Sequence, residues 1–258
     1  MLLYEIIWVL LSGGYYVIGS KNAIILVNND IRIYYMVEVN WSFVEKVVYI
    51  NLAKRTERRK SIEFQMEKMG IPEDKIIRFD AIENENGALG CVLSHIDVLK
   101  MAKKNNWKNV LILEDDMIFN DDDESSERIN YYFNSLKSVS WDAGLLSGSY
   151  FWLKQIHGCF YHVRYSYLSN SYIVNQHYYD NLIDVFLSSA ESLIREEDRN
   201  YCGLDVSWNT LMKIDHWYAI YPCVGYQMTG VSDIEHEIMD RECHFKRPLE
   251  DIWPTRKE

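Results

Sequence analysis

Val110-Leu111-Ile112-Leu113-Glu114-Asp115-Asp116 sets four apolar, β-favouring residues directly against three carboxylates. An unbroken apolar run of this length reads as a strand covered on both faces. Two similar runs stand upstream, Val47-Val48-Tyr49-Ile50 and Ile76-Ile77-Arg78-Phe79. Between the first two runs, Ile62, Met66 and Met69 fall on one helical face, closed by Gly70 and Pro72. Between the second and third, Val92, His95, Leu99 and Ala102 mark another helical face, with Asn105-Asn106 as its exit. Strand, helix and strand at this spacing predict an α/β fold, a mostly parallel sheet with crossover helices on both faces in a single domain. Ligands of such sheets sit beyond the carboxyl ends of the strands, which is where Glu114, Asp115 and Asp116 fall.

Composition supports that reading. The chain has 258 residues, 48% of them apolar and 25% charged, so it is no disordered polymer and is long enough for one large core. Thirty-eight acids against 27 bases give a net charge of -11, which excludes nucleic acid as the expected partner because phosphate-backbone affinity needs unneutralised Lys and Arg. Five scattered cysteines lack a CxxC pair or a His at zinc-finger spacing, and read as reduced packing thiols of a cytoplasmic protein. The amino-terminal apolar segments are interrupted by Glu5 and Gly13-Gly14, which fits neither a secretory signal nor a spanning helix. Residues 1–44 are expected to be strands or an extension of no assigned function, with an uncleaved membrane anchor as the alternative. Residues 45–245 are expected to form the domain, and 246–258 a tail.

Two charged runs carry the chemistry. Asn51 to Lys60 holds five bases and one acid at the start of a helix, where backbone N-H groups also favour an anion. A phosphate site and a solvated helical face are equally weighted readings, since consecutive helical residues diverge. From Glu114 to Glu127 there are eight acids. Asp121 to Glu124 precede the helical pattern Ile129, Phe133, Leu136 and are expected to cap it. Glu114, Asp115 and Asp116 end a buried strand, where hard oxygen ligands suit Mn²⁺ or Mg²⁺ held jointly with a phosphate. No Walker A sequence is present, which counts against a P-loop kinase or ATPase.

The ordered set of Asn51-Leu52 with Arg55, Arg58 and Arg59, then Gly90-Cys91-Val92-Leu93-Ser94-His95, then Leu113-Glu114-Asp115-Asp116 resembles glycosyltransferase family 25, the lipopolysaccharide-biosynthesis and procollagen galactosyltransferase-like enzymes. The resemblance runs from about Val47 to Asp240. It also covers Trp141-Asp142, the strand Ser171-Tyr172-Ile173-Val174, Gly203-Leu204-Asp205 and Val231-Ser232-Asp233-Ile234-Glu235, while His157 to Asn170 departs from it. A helix beginning near Tyr179 is legible independently from Leu182, Ile183, Phe186, Ala190 and Leu193. The resemblance implies a GT-A-like, Rossmann-like fold and metal-dependent, inverting transfer of a sugar, galactose or glucose, from a UDP-sugar. The acceptor would be a hydroxyl of a glycan, glycolipid or hydroxylated protein. The alternative is an inactive relative that binds a nucleotide sugar or glycan.

On that reading Asp116 is the direct metal ligand, Glu114 orients the donor or the metal's waters, and Asp115 is a second ligand or a ribose contact. Asp233 is the distant third ligand or simply a turn aspartate. Asn51, Arg55 and Arg58 face the nucleotide, and Asp80 takes the base or ribose. Ser94 and His95 position the donor, or His95 is a satisfied core histidine. Asp205 is the expected general base, with a helix N-cap as its other reading and Glu235 in reserve.

Overall fold

The computed structural model describes residues 15–17, 22–27, 30–35, 37–235 and 237–254. The chain divides into two compact units, Met1–Glu38 and Val39–Glu258. In the first, β1 (Tyr15–Val17), β2 (Asn22–Val27) and β3 (Asp30–Tyr35) form an antiparallel sheet in that order. The apolar segment before Tyr15, where an anchor was considered, lies outside the described residues. No helix among the described residues is long and apolar enough to cross a membrane.

The second unit begins earlier than the expected residue 45. Trp41 and Val44 are buried, and the Trp41 indole N-H donates to Met69 O at 2.8 Å, so residues 39–44 are anchored to this unit. The unit carries two βαβ crossovers: β4 (Lys46–Asn51), α1 (Thr56–Lys68), β5 (Ile76–Asp80), α2 (Gly87–Lys104) and β6 (Asn109–Glu114). β4 pairs in parallel with both β5 and β6, the expected Rossmann-like arrangement. Helix α1 ends as its sequence implies: Gly70 adopts φ +64, and the N-H of Ile71 returns to Met66 O at 3.0 Å.

Beyond β6 the chain forms β7 (Met117–Phe119), α3 (Asp123–Leu136), β8 (Ala143–Leu145), β9 (Ser149–His157), β10 (Phe160–Tyr167), β11 (Ser171–Asn175) and α4 (Tyr179–Ile194). Three single-turn helices follow, α5 (Arg199–Cys202), α6 (Leu204–Ser207) and α7 (Asn209–Met212). The chain then runs through β12 (Trp217–Ile220), β13 (Gly225–Gln227), β14 (Gly230–Val231), β15 (Ile238–Met239) and α8 (Glu242–Phe245).

The central sheet has the order β5-β4-β6-β11-β8-β12-β10-β9 and is mixed rather than mostly parallel. β11 runs antiparallel to both β6 and β8, and β9 and β10 form a hairpin that joins β12 in antiparallel sense. That hairpin turns at Gly158 (φ +50), inside the stretch where the resemblance departs. The expected tail is also structural: Leu153 N-H donates to Trp253 O at 2.9 Å, and Ile252 is fully buried.

The unbroken apolar strands are explained by burial on both faces. Val48, Ile50, Val110, Ile112, Tyr172 and Val174 face a core containing residues of α2 and α4. Their alternates Val47, Tyr49, Leu111, Leu113 and Ile173 face a second core built with α1 and α3. Asp122 caps α3 by accepting from Ser125 N at 2.5 Å, with Asp123 and Glu124 in its first turn, so three of the eight acids serve the helix start. Three more, Glu114, Asp115 and Asp116, lie at the end of β6.

Candidate active site

A cavity of about 650 Å³ opens at the carboxyl ends of β4, β5 and β6. Arg58, Ser94, His95, Glu114, Asp115, Asp116 and Asp233 line it, so seven of the sequence-expected residues converge on one space. Asn51, Arg55, Asp80, Asp205 and Glu235 are not among its lining residues.

Asn51 is committed to the framework. Its amide donates to Asp115 Oδ2 at 2.7 Å and to Arg55 O at 3.1 Å, while its Oδ1 accepts from the Arg78 guanidinium at 3.2 Å. It orients a site carboxylate from behind and has no free group for a nucleotide. Arg55 pairs with Asp233 Oδ2 at 2.9 Å and donates to Val231 O, tying the start of α1 to the β14–β15 hairpin. Asp80 is exposed and paired with Arg78 at 2.5 Å, away from the cavity because β5 alternates its side chains. The basic run thus divides as helical geometry demands: Arg58 faces the cavity, whereas Arg59 pairs with Glu63 on the outer face.

Gly90 and Ser94 dock the loop after β5 onto α2. A Cβ at Gly90 would come within 2.5 Å of Ile82 O, so only glycine permits this approach. Ser94 Oγ accepts from Ile82 N at 2.8 Å and donates to Gly90 O at 2.7 Å. His95 is almost wholly buried. Its Nδ1 meets the Tyr172 hydroxyl at 2.7 Å, and its Nε2 lies 3.6 Å from Glu114 Oε1 without a hydrogen-bond partner. Cys91 also lines the cavity, and burial pushes its thiol well up, which argues against a nucleophile.

The three carboxylates differ. Burial alone would push Glu114 up, but the His95 ring, the Ser169 hydroxyl donating at 2.5 Å and the Arg58 charge hold it below its usual range. Burial raises Asp115 against the opposing hydrogen bond from Asn51. Asp116 is pushed up to about 8, by burial first and then by the Glu114 charge, and Arg58 offsets this only partly. Arg58 Nη1 lies 3.2 Å from Asp115 and 3.4 Å from Asp116, and its Nη2 donates to Val231 O at 2.8 Å. Asp116 Oδ2 accepts from Gln227 Nε2 at 3.0 Å, while its buried Oδ1 has no partner. An orphaned oxygen among crowded carboxylates is what a hard dication satisfies, so the donor set fits Mn²⁺ or Mg²⁺ at Asp116. Asp233 lies in a turn whose amides are capped by Ser232, with one oxygen already taken by Arg55.

Neither expected base sits in the cavity wall. Asp205 is the second residue of α6 rather than its N-cap, and its Oδ2 accepts from Leu168 N at 2.9 Å. Leu168 adopts φ +67, and the adjoining Ser169 is the residue that donates to Glu114. Burial raises the Asp205 carboxyl, as a base would require, but its contact is a clamp on the β10–β11 turn. Glu235 is gripped by Arg199 at 2.5 Å and Arg241 at 2.9 Å, and the Arg199 hydrogen bond leads in holding it low. Asp205→Asn is therefore expected to keep turnover within about threefold, because the amide oxygen still accepts from Leu168, whereas a true base would lose at least about 100-fold. Asp205→Ala, which abandons the clamp, should cost about 1–3 kcal/mol in urea unfolding.

Gln227, Met228 and Ser169 carried no sequence signal, and Tyr172 was legible only as a strand residue. Gln227 arrives because β13 pairs with β7, which also lets Met228 N donate to Asp116 O at 2.7 Å. A contact spanning 111 residues leaves no local pattern.

The family model of glycosyltransferase family 25 (LPS biosynthesis protein) matches residues 85–150, the segment from the entry of α2 through the acidic strand end to the start of β9. No curated protein matches the chain. Among solved structures, mannose-1-phosphate geranyltransferase from Thermus thermophilus is similar at 10% identity and TM-score 0.42, over 69% of this chain and 73% of that one. UDP-glucose pyrophosphorylase complexed with UDP-glucose is similar at 9% identity and TM-score 0.40, over 70% and 74%. A glycosyltransferase involved in glycosylation of the major capsid of PBCV-1 is similar at 12% identity and TM-score 0.37, over 78% and 98%.

Proposed function

We propose, from a chain that carries the family 25 glycosyltransferase segment, that it moves a hexose from a UDP-sugar to an acceptor hydroxyl with inversion, in the cavity at the ends of β4 to β6. The observation that supports this reading most is the unpartnered Asp116 Oδ1, buried beside Glu114, Asp115 and Arg58 in a cavity large enough for a nucleotide sugar.

In this reading Asp116 and Asp115 would hold Mn²⁺ or Mg²⁺, with Asp233, another residue lining the cavity, as the candidate third ligand. When bound, the ion supplies positive charge to the departing diphosphate. Arg58 adds a fixed cation and sets the two aspartates apart. Gln227 keeps one Asp116 oxygen occupied, so that the other is presented to the cavity. Ser94 holds the Ile82 loop as one wall, and Glu114, oriented by Ser169, is placed to accept from a donor-sugar hydroxyl. Acceptors of the proposed class are a glycan, a glycolipid or a hydroxylated protein side chain.

The deciding experiment is a UDP-sugar turnover panel with Mn²⁺, run alongside a chelator and Asp116→Ala. UDP release that requires both the ion and Asp116 is the expected result. Absence of both turnover and UDP binding across the panel would sink the proposal, and turnover that survives both controls would remove the metal from it.

A further inference from the structure

Cys91, His95 and Glu114 bring a thiol, an imidazole and a carboxylate together on the cavity side of the sheet, with their ligand atoms all within 4.8 Å of one another. Cys91 and His95 are one helical turn apart on α2, the i, i+4 spacing that aims two side chains at one point. Glu114 completes the set from the end of the facing strand β6. None of this was visible as a metal motif, since the third ligand comes from another element and no second cysteine is involved.

The state of His95 is the second observation. Its Nδ1 is engaged with the Tyr172 hydroxyl at 2.7 Å, the outer-shell arrangement that fixes which ring nitrogen of a metal-binding histidine stays free. The other nitrogen, Nε2, belongs to a side chain only 1% exposed, has no hydrogen-bond partner, and points toward Glu114 Oε1 at 3.6 Å. That separation is long for a charge-assisted hydrogen bond, which falls near 2.7–2.9 Å. It is close to the roughly 3.4 Å edge between nitrogen and oxygen ligands of a tetrahedral zinc ion with bonds of about 2.0–2.1 Å.

We infer that Cys91, His95 and Glu114 form a three-ligand Zn²⁺ site in the cavity wall, with the fourth position open to the cavity. Its mixed sulfur, nitrogen and oxygen donors differ from the carboxylate ligands proposed at Asp116, which suit a harder ion. Binding replaces the Cys91 S-H bond with an S-Zn bond, and the released proton passes to solvent. The site shares Glu114 with the proposed donor contact, but its test reads metal binding rather than transfer, so the two can fail separately.

The test uses Co²⁺ as a spectroscopic replacement for Zn²⁺. Chelator-stripped full-length protein, held in excess Mn²⁺ to saturate oxygen-only sites, is titrated with Co²⁺. One equivalent should produce a thiolate-to-cobalt charge-transfer band with tetrahedral visible absorption. Both should vanish in Cys91→Ser and persist in Asp116→Asn. Zn²⁺ affinity, read by competition with a chromophoric chelator, should fall at least about 100-fold in His95→Ala, since even losing an outer-shell partner costs 10–100-fold. No sulfur band in the wild type, or an unchanged band in Cys91→Ser, overturns the site. Should Cys91→Ser fail to fold, alkylation of the wild type decides instead: Zn²⁺ must protect Cys91, and equal labelling with and without Zn²⁺ overturns the inference.

Discussion

Asp116→Asn is expected to raise the thermal midpoint of the metal-free protein at neutral pH while abolishing the response to Mn²⁺. The folded protein holds the Asp116 proton up to about pH 8, against an ordinary value of 3.8. Between those values the native state binds more protons than the unfolded chain, so this group's contribution to stability is full below 3.8 and is lost as pH rises through 8. At pH 7 most of that loss has occurred, a penalty on the order of a few kcal/mol. Asparagine removes the charge and can still accept from Gln227. A gain of about 5–10 °C is the expected scale, using about 2–4 °C per kcal/mol for a domain of this size. In the wild type, Mn²⁺ should raise the midpoint more at pH 8 than at pH 5.5, because at the lower pH a proton already neutralises the carboxylate. Transfer should fall at least about 100-fold. A lowered midpoint together with an intact Mn²⁺ response would remove Asp116 from the metal position.

Arg58→Gln should act in the opposite direction and is expected to be the most destabilising single change in the site. The Arg58 guanidinium, with only 12% of its side chain exposed, is shared by Asp115, Asp116 and Val231 O. Removing one partner of a buried ion pair leaves the others uncompensated, at about 3–5 kcal/mol. The corresponding drop of roughly 10 °C in thermal midpoint should change little with added salt, because buried pairs are weakly screened. Combining Arg58→Gln with Asp116→Asn should recover part of the loss, since asparagine needs no proton to stay neutral in a site that Arg58 no longer helps to balance. A loss below about 1 kcal/mol for the single change would mean that water, rather than Arg58, neutralises these carboxylates.

Which parts of the site were legible follows from how far each signal travels along the chain. Glu114, Asp115 and Asp116 could be read because a strand end is a local event, as could Ser94 and His95 at one face of α2. Arg58 was expected at the nucleotide on the family resemblance, but its partner Val231, 173 residues away, left no local signal. The polar side chains of Asn51 and Arg55 suggested ligand contacts. In the fold these side chains face protein partners instead, Asp115 and Asp233, since a buried polar group needs a fixed partner whether or not substrate is bound. Asp205 shows the same divergence between charge and contact: burial raises its carboxyl, but the hydrogen bond it accepts comes from the Leu168 turn.

Apolar periodicity alone determined the first half of the fold, three parallel strands with α1 and α2 crossing between them, because burial on both faces writes an unbroken hydrophobic run into each strand. It also determined that a carboxylate cluster ends the third strand. Only the tertiary structure decided that β11 enters antiparallel beside β6, that the residues after 245 help complete the sheet region, and that Gln227 and the β14–β15 hairpin close the cavity. Those are pairings between segments far apart in the chain, governed by backbone hydrogen bonds that any side chain can accompany, so sequence carries almost no trace of them. The same distance explains the third ligand of the proposed zinc site: Cys91 and His95 share a helix turn, but Glu114 joins them only once α2 has packed against β6.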